Sequence, residues 1–194
     1  INVYKVENSE FDIVADTNNK RSMAVRLTEK NLRRIQKYLP EGFELPKIAV
    51  VGFKSNRLSP TAIGGYSEST GIMYINSKYD TNEKIFEFVN RSTGRFANTT
   101  ELAPYLHELG HKYYYDCVKS LAKQHQISYN AAQKVIDYRV YRYIAAQKSE
   151  NFLRENISQY ADTQKVTEIC AESFSVMKNN KSAEKIIELV SQEE

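Results

Sequence analysis

Thr99-Thr100-Glu101-Leu102-Ala103-Pro104-Tyr105-Leu106-His107-Glu108-Leu109-Gly110-His111 is the stretch that decides how the chain is read. Pro104 is tolerated early in a helix, where a backbone N–H has no intrahelical acceptor. Thr99 or Thr100 supplies a hydroxyl cap, and Glu101 puts negative charge in the first turn. Leu102, Leu106 and Leu109 are spaced by four and three, and Tyr113, Cys117 and Leu121 continue the stripe. A long amphipathic helix is therefore predicted. Each residue of such a helix turns by about 100° and rises about 1.5 Å, which puts His107 and His111 on one face about 6 Å apart. Two imidazoles so placed can hold one Zn2+ ion, with Glu108 one step round the same side. A metal-bound water has its pKa lowered toward neutrality, and a carboxylate beside it takes its proton. The bland alternative is an amphipathic helix with two incidental histidines, and the capped helical setting argues against it. His125 is the contrast: it follows His111 by 14 positions, or about 21 Å of helix, and reads as a solvated helix-end histidine.

A third ligand is sought downstream. Glu168-Ile169-Cys170-Ala171-Glu172-Ser173-Phe174-Ser175 places two carboxylates four apart on a second helix, among Val166, Ile169, Phe174 and Met177. Two carboxylates on one face repel unless a cation or a donor lies between them. One reading makes Glu168 the third ligand and Glu172 a supporting group that accepts the other N–H of a ligating histidine. The other is a solvated acidic face. Spacing alone fits both equally.

His-Glu-x-x-His followed far downstream by Glu-x-x-Ala-Glu-Ser-Phe resembles the zincin metallopeptidases of the anthrax lethal factor and Pro-Pro endopeptidase type. The resemblance implies zinc held by His107, His111 and Glu168, with Glu108 as general base. It also implies that Tyr160, in Ile157-Ser158-Gln159-Tyr160-Ala161, hydrogen-bonds the developing oxyanion or the bound water. It covers roughly residues 60–180 in organisation and is specific only at the two motifs. A weaker likeness joins Gly64-Gly65-Tyr66, Tyr74-Ile75-Asn76 and the run 101–107 to peptidase-like parts of prophage minor head proteins from Gram-positive bacteria. That likeness implies one domain cut from a longer polypeptide, virion-associated or cytoplasmic; a toxin-like peptidase would instead be secreted.

The 194 residues suit one domain with a single core. Hydrophobic content of 41% and charged content of 26% are those of an ordinary globular protein. The net charge of +3 is mild. Lys20-Arg21 and Arg33-Arg34 read as solvated pairs, the basic residues as dispersed, and no nucleic-acid partner is expected. No apolar run approaches a membrane span, so no membrane partner is expected either. Cys117 and Cys170 are read as buried free thiols, with a disulfide between the two helices as the lesser alternative.

Along the chain, Val3–Val6 and Phe11–Val14 read as short strands and 16–20 as a turn. A helix is expected over 29–39, capped by Thr28 with Leu27 stapled on Leu32. Lys47–Phe53 reads as a strand. Ile63–Ser67 and Gly71–Asn76 read as a hairpin, with Gly64-Gly65 marking a bulge or a close backbone approach. Asp80 and Glu83 form a capping box for a helix to Asn90, and 91–98 reads as a mobile loop bordering the cleft. Ser128 caps a helix over 129–147, whose stripe of Val135, Tyr138, Tyr141 or Arg142, and Ala145 is expected to pack in the core. A loop over 149–163 leads to helices over 165–178 and 182–191. The whole is an α+β arrangement: a small mixed sheet with a helix in residues 1–98, then a helical part over 99–194 carrying the metal ligands.

The expected function is zinc-dependent hydrolysis of peptide bonds in a protein or peptide substrate. The substrate is expected to lie extended along an exposed strand, for which Gly71, Ile72, Met73 and Tyr74 are the candidates. The rival is a non-catalytic zinc domain of a phage head. The intact Glu108 argues against it, because a structural site needs no base.

Overall fold

The computed structural model describes residues 1–18, 20, 22–163 and 165–193. Asn19 and Arg21, on which the turn at 16–20 and the Lys20-Arg21 pair partly rest, lie outside the described residues. The chain divides into two compact units, residues 1–89 with 100–108 and residues 90–99 with 109–194.

The first unit holds a five-stranded sheet. Its strands are β1 (Tyr4–Lys5), β2 (Ile13–Ala15), β3 (Lys47–Val51), β4 (Gly64–Ser67) and β5 (Ile72–Asn76), in the order β1-β2-β3-β5-β4. The inner strands β2, β3 and β5 run parallel, and β1 and β4 pair antiparallel at the two edges. The inner strands are continuous apolar runs because a parallel strand is covered on both faces. Their register aligns Ile13, Ile48 and Met73 in one row and Ala15, Val50 and Ile75 in the next, all buried. Val14, Ala49, Val51 and Phe53 form a cluster on the other face, with Leu58, Ala62, Ile72 and Tyr74 packed against it.

The strand Gly71–Asn76 is therefore not the exposed edge expected of it. Strand β5 pairs with β3 on one side and β4 on the other, so its backbone groups are taken up by both neighbours. The edge is β4, whose paired glycines fill the interior of a sheet poorly, while Ile72, Met73 and Ile75 suit a covered strand.

Helix α1 spans Met23–Ile35, six residues earlier than the cap at Thr28 requires. Ser22 is the cap, its Oγ accepting the Val25 N–H at 3.4 Å, and Thr28 is fully buried within the helix. Leu27 and Leu32 thus lie inside the helix with no start to staple. A 3-10 turn follows over Gln36–Tyr38. Helix α2 spans Asn82–Asn90. Its N-terminal hydroxyl comes from Thr81, which accepts the Lys84 N–H at 3.2 Å, while the Asp80 carboxylate pairs with the Lys84 ammonium at 2.6 Å. The capping box expected of Asp80 and Glu83 is thus replaced.

Helix α3 spans Ala103–His125 and passes through the division between the units. Thr100 Oγ1 accepts the Leu102 N–H at 3.3 Å just before it. Its first turns are anchored within the first unit. Buried Tyr105 accepts a hydrogen bond from Asn31 Nδ2 at 3.4 Å, and Arg34 holds Glu101 at 2.6 Å.

The second unit continues with α4 (Tyr129–Ala145), α5 (Phe152–Asn156), α6 (Gln159–Asp162), α7 (Val166–Phe174) and α8 (Lys181–Ser191). Ser128 caps α4 as expected, accepting the Ala131 N–H at 3.1 Å. The face of α4 that packs inward is Ala132, Ile136 and Val140, not the expected stripe. Tyr138 and Tyr141 are 64% and 51% exposed. The expected loop over 149–163 contains α5 and α6, each too short to show a helical period in sequence. Both cysteines are free. His125 lies at the exposed end of α3, where its Nε2 is 2.8 Å from the Glu193 carbonyl. Among the described residues, no helix is long and apolar enough to cross a membrane.

Candidate metal centre

His107 and His111 sit one turn apart on α3, as their spacing requires. Glu168 lies in the first turn of α7. One ligand atom from each of the three lies within 4.8 Å of the other two. The α3 backbone is unbroken from Ala103 to His125, so its own hydrogen bonds fix His107 relative to His111.

Thr167 orients His111. Its Oγ1 lies 2.9 Å from Nδ1 of the ring. In the tautomer where Nδ1–H donates to that oxygen, Nε2 carries a lone pair, and it stands 3.3 Å from Glu168 Oε2. Two acceptors that close repel unless a cation or a proton sits between them. A tetrahedral zinc site with bonds of about 2.0–2.1 Å separates its ligand atoms by about 3.3–3.4 Å. The donor set of two imidazoles and a carboxylate, and the His111–Glu168 separation, therefore fit zinc. Sequence reading missed Thr167, which sits one residue before Glu168 in no motif. The only signal for it was a hydroxyl placed next to a proposed ligand. Thr167→Val is expected to weaken the binding of a metal ion by about 10–100-fold, the usual cost of losing a group that orients a ligand. Competition with a chelator of known affinity measures it, and an unchanged affinity would remove Thr167 from the site.

Glu108 is 8% exposed and follows His107 directly on α3. Its neighbour in the first unit is the edge strand. A Cβ built on Gly64 would stand 3.3 Å from Glu108 Cγ and 3.1 Å from the Tyr74 carbonyl oxygen. Gly64 pairs with Ile75 and shares that sheet face, so the missing side chain is what lets the Glu108 carboxylate lie against β4. Of the two expectations for Gly64-Gly65, close approach is met at Gly64. Gly65 has open space where its Cβ would be.

Glu172 is buried to 2% exposure, which rules out the solvated acidic face at this position. Its Oε2 accepts the Ala97 N–H at 2.7 Å and the Ser158 hydroxyl at 2.8 Å. Ser158 also caps α6 by accepting the Ala161 N–H at 3.0 Å. The Gln159 and Tyr160 N–H groups donate to the Gly94 and Arg95 carbonyls, and Asn98 Nδ2 donates to the Ser175 carbonyl at 2.9 Å. Glu172 thus joins the 91–98 loop, α6 and α7. The loop over 91–98 is hydrogen-bonded at Gly94, Arg95, Ala97 and Asn98. Tyr160 lies in α6, its half-buried ring tilted on Phe96 at a centroid distance of 5.5 Å. These contacts fix its backbone and ring.

Gly110 explains how α3 and α7 come close enough for His111 and Glu168 to meet. A Cβ there would stand 2.6 Å from Ala171 Cα and 2.9 Å from Phe174 Cβ. Neither atom is at the end of a flexible side chain. Burial pushes the Cys170 thiol well up and the Cys117 thiol up to about 12, so both are protonated thiols at neutral pH. Gly110→Ala gains about 0.8–1 kcal/mol of helix propensity, but overpacking of this kind costs about 1–3 kcal/mol. The expected result is a lower melting temperature in metal-free protein and weaker metal binding as α3 and α7 separate. A melting temperature at or above wild type would show that the contact yields easily.

Comparison with protein-family models, with curated proteins and with solved structures returned no match.

Proposed function

We propose that the protein is a zinc-dependent endopeptidase of the zincin type. His107, His111 and Glu168 hold the metal, and Glu108 is the general base. The observation that carries this reading is the His107–His111–Glu168 group beside a buried glutamate on the same helix. A closed structural zinc site takes four protein ligands, whereas a catalytic one keeps a position for water. The group has three such members among the described residues, which supports catalysis over the structural alternative.

When bound, zinc supplies an acidified water and polarises the scissile carbonyl. Glu108 removes a proton from the attacking water and passes it to the departing amine. Burial keeps competing water away from that transfer. The substrate lies extended beside β4, the edge strand of the sheet, by strand addition. Glu108 packs against that strand at Gly64, which brings the base to the scissile bond of a peptide laid along it.

Tyr160 donates its hydroxyl to the oxyanion as the carbonyl carbon becomes tetrahedral. Its support is the resemblance in sequence together with the anchoring of α6 to the 91–98 loop. Tyr160→Phe is expected to lower turnover by about 10²–10³-fold with zinc content and melting temperature unchanged. Normal turnover on a peptide that the parent cleaves would remove Tyr160 from the reaction. The proposal as a whole is tested by mass-spectrometric profiling of a peptide library. Cleavage is expected with zinc-loaded protein, is lost on chelation and returns on adding zinc. Cleavage that survives full removal of zinc would overturn it.

A further inference from the structure

Between residues 109 and 148 the chain carries seven Lys and Arg, two Asp and no Glu, a net of +5 against +3 for the whole chain. Both acids are already committed. Asp116 pairs with Lys112, and Asp137 accepts the Tyr114 hydroxyl at 2.5 Å. Lys119, Lys123, Lys134, Arg142 and Lys148 form no ion pair among the described residues.

Helix phase concentrates part of this charge. At about 100° per residue, Lys134, Val135, Tyr138, Tyr141, Arg142 and Ala145 fall within an arc of about 120°. That arc lies opposite the buried Ala132, Ile136 and Val140. Val135, Tyr138 and Tyr141 are 38%, 64% and 51% exposed, unusual for large apolar groups grouped on one helix face. The stripe thus has two apolar-bodied tyrosines between cations about 12 Å apart.

We propose that this face of α4 is a docking surface for an acidic, amphipathic polypeptide segment. Its carboxylates meet Lys134 and Arg142, and its apolar residues cover Val135, Tyr138 and Tyr141. Tyrosine and arginine are the residues that dominate protein–protein contacts, since they bury a large rigid area and keep a polar tip. Charge density decides against nucleic acid. A duplex carries one negative charge per about 1.7 Å, so a stripe of about 17 Å would face about ten phosphates with two cations. The proposal does not rest on the peptidase reading, and its readout is binding alone.

The test uses a fluorescent helical peptide with glutamates two turns apart and leucines between them, titrated into the full chain and followed by anisotropy. Saturable binding that weakens as salt rises is expected. Lys134→Glu with Arg142→Glu should raise Kd by at least about tenfold. Tyr138→Ala with Tyr141→Ala should also weaken binding, with the melting temperature of both variants unchanged because all four side chains are exposed. Glu108→Gln should bind the peptide as well as the parent does. A single-stranded oligonucleotide and vesicles of anionic lipid are titrated alongside. Failure to bind the peptide, binding that survives both double substitutions, or preferential binding of the oligonucleotide or the vesicles through the same residues overturns the proposal.

Discussion

Glu108→Gln should abolish peptidase activity while the protein keeps its zinc and its fold. The amide matches the carboxylate in shape, so the contact with Gly64 on β4 survives. What is lost is the ability to accept a proton. Removing a general base commonly costs about 10²–10⁴-fold in rate. Because Glu108 holds no metal in this account, zinc content should stay at the wild-type level. Loss of zinc would make Glu108 a ligand, and an unchanged rate on a substrate the parent cleaves would take the base role away from it.

His107→Ala, His111→Ala and Glu168→Ala should each strip the metal, and the loss should appear in stability as well as in activity. Metal bound only by the folded state stabilises it by RT ln(1 + [L]/Kd), about 2.7 kcal/mol at one hundred times Kd. The wild-type melting temperature should therefore rise on adding zinc, and those of the three variants should not. Glu172→Gln should behave differently. Glu172 accepts hydrogen bonds from Ala97 and Ser158 deep inside the second unit, so its loss leaves a buried amide among donors. That variant should lose stability even without zinc, and its zinc affinity should fall by only about 10–100-fold. Equal metal loss from Glu168→Ala and Glu172→Gln would require the ligand role to be reassigned.

The helix α3 was legible because every local signal agreed: threonine before the first turn, proline within it, and leucines at four and three. The two histidines share one face of α3 as their spacing requires, whereas spacing left Glu168 open and only the resemblance singled it out; the three ligand atoms do come within 4.8 Å of one another. Glycine inside a helix costs about 0.8–1 kcal/mol against alanine, and the close approach of Ala171 and Phe174 to Gly110 accounts for it. Other features depended on tertiary contacts. Ser22 and Thr28 have the same capping chemistry, and only the burial of Thr28 shows which starts α1. Helix α4 has two apolar stripes. The narrow one, Ala132 with Ile136 and Val140, packs inward because small and β-branched groups allow close approach, and the tyrosines tolerate water through their hydroxyls. The strand expected to be exposed at Gly71–Tyr74 is internal, because strand order is set by pairing between segments distant in sequence. The run of Ile72, Met73 and Ile75 belongs between two strands, and the glycine pair belongs at the edge. Thr167 was missed because a single hydroxyl beside a ligand has no sequence pattern of its own.

The central claim, a zinc ion held by two imidazoles and one carboxylate, is tested most directly by X-ray absorption at the zinc edge on protein purified with its metal. The account predicts one zinc per chain, nitrogen and oxygen donors at about 2.0–2.1 Å, and the outer-shell scattering of two imidazoles. Purified protein that takes up no zinc, or sulfur donors at about 2.3 Å from Cys117 or Cys170, would contradict it.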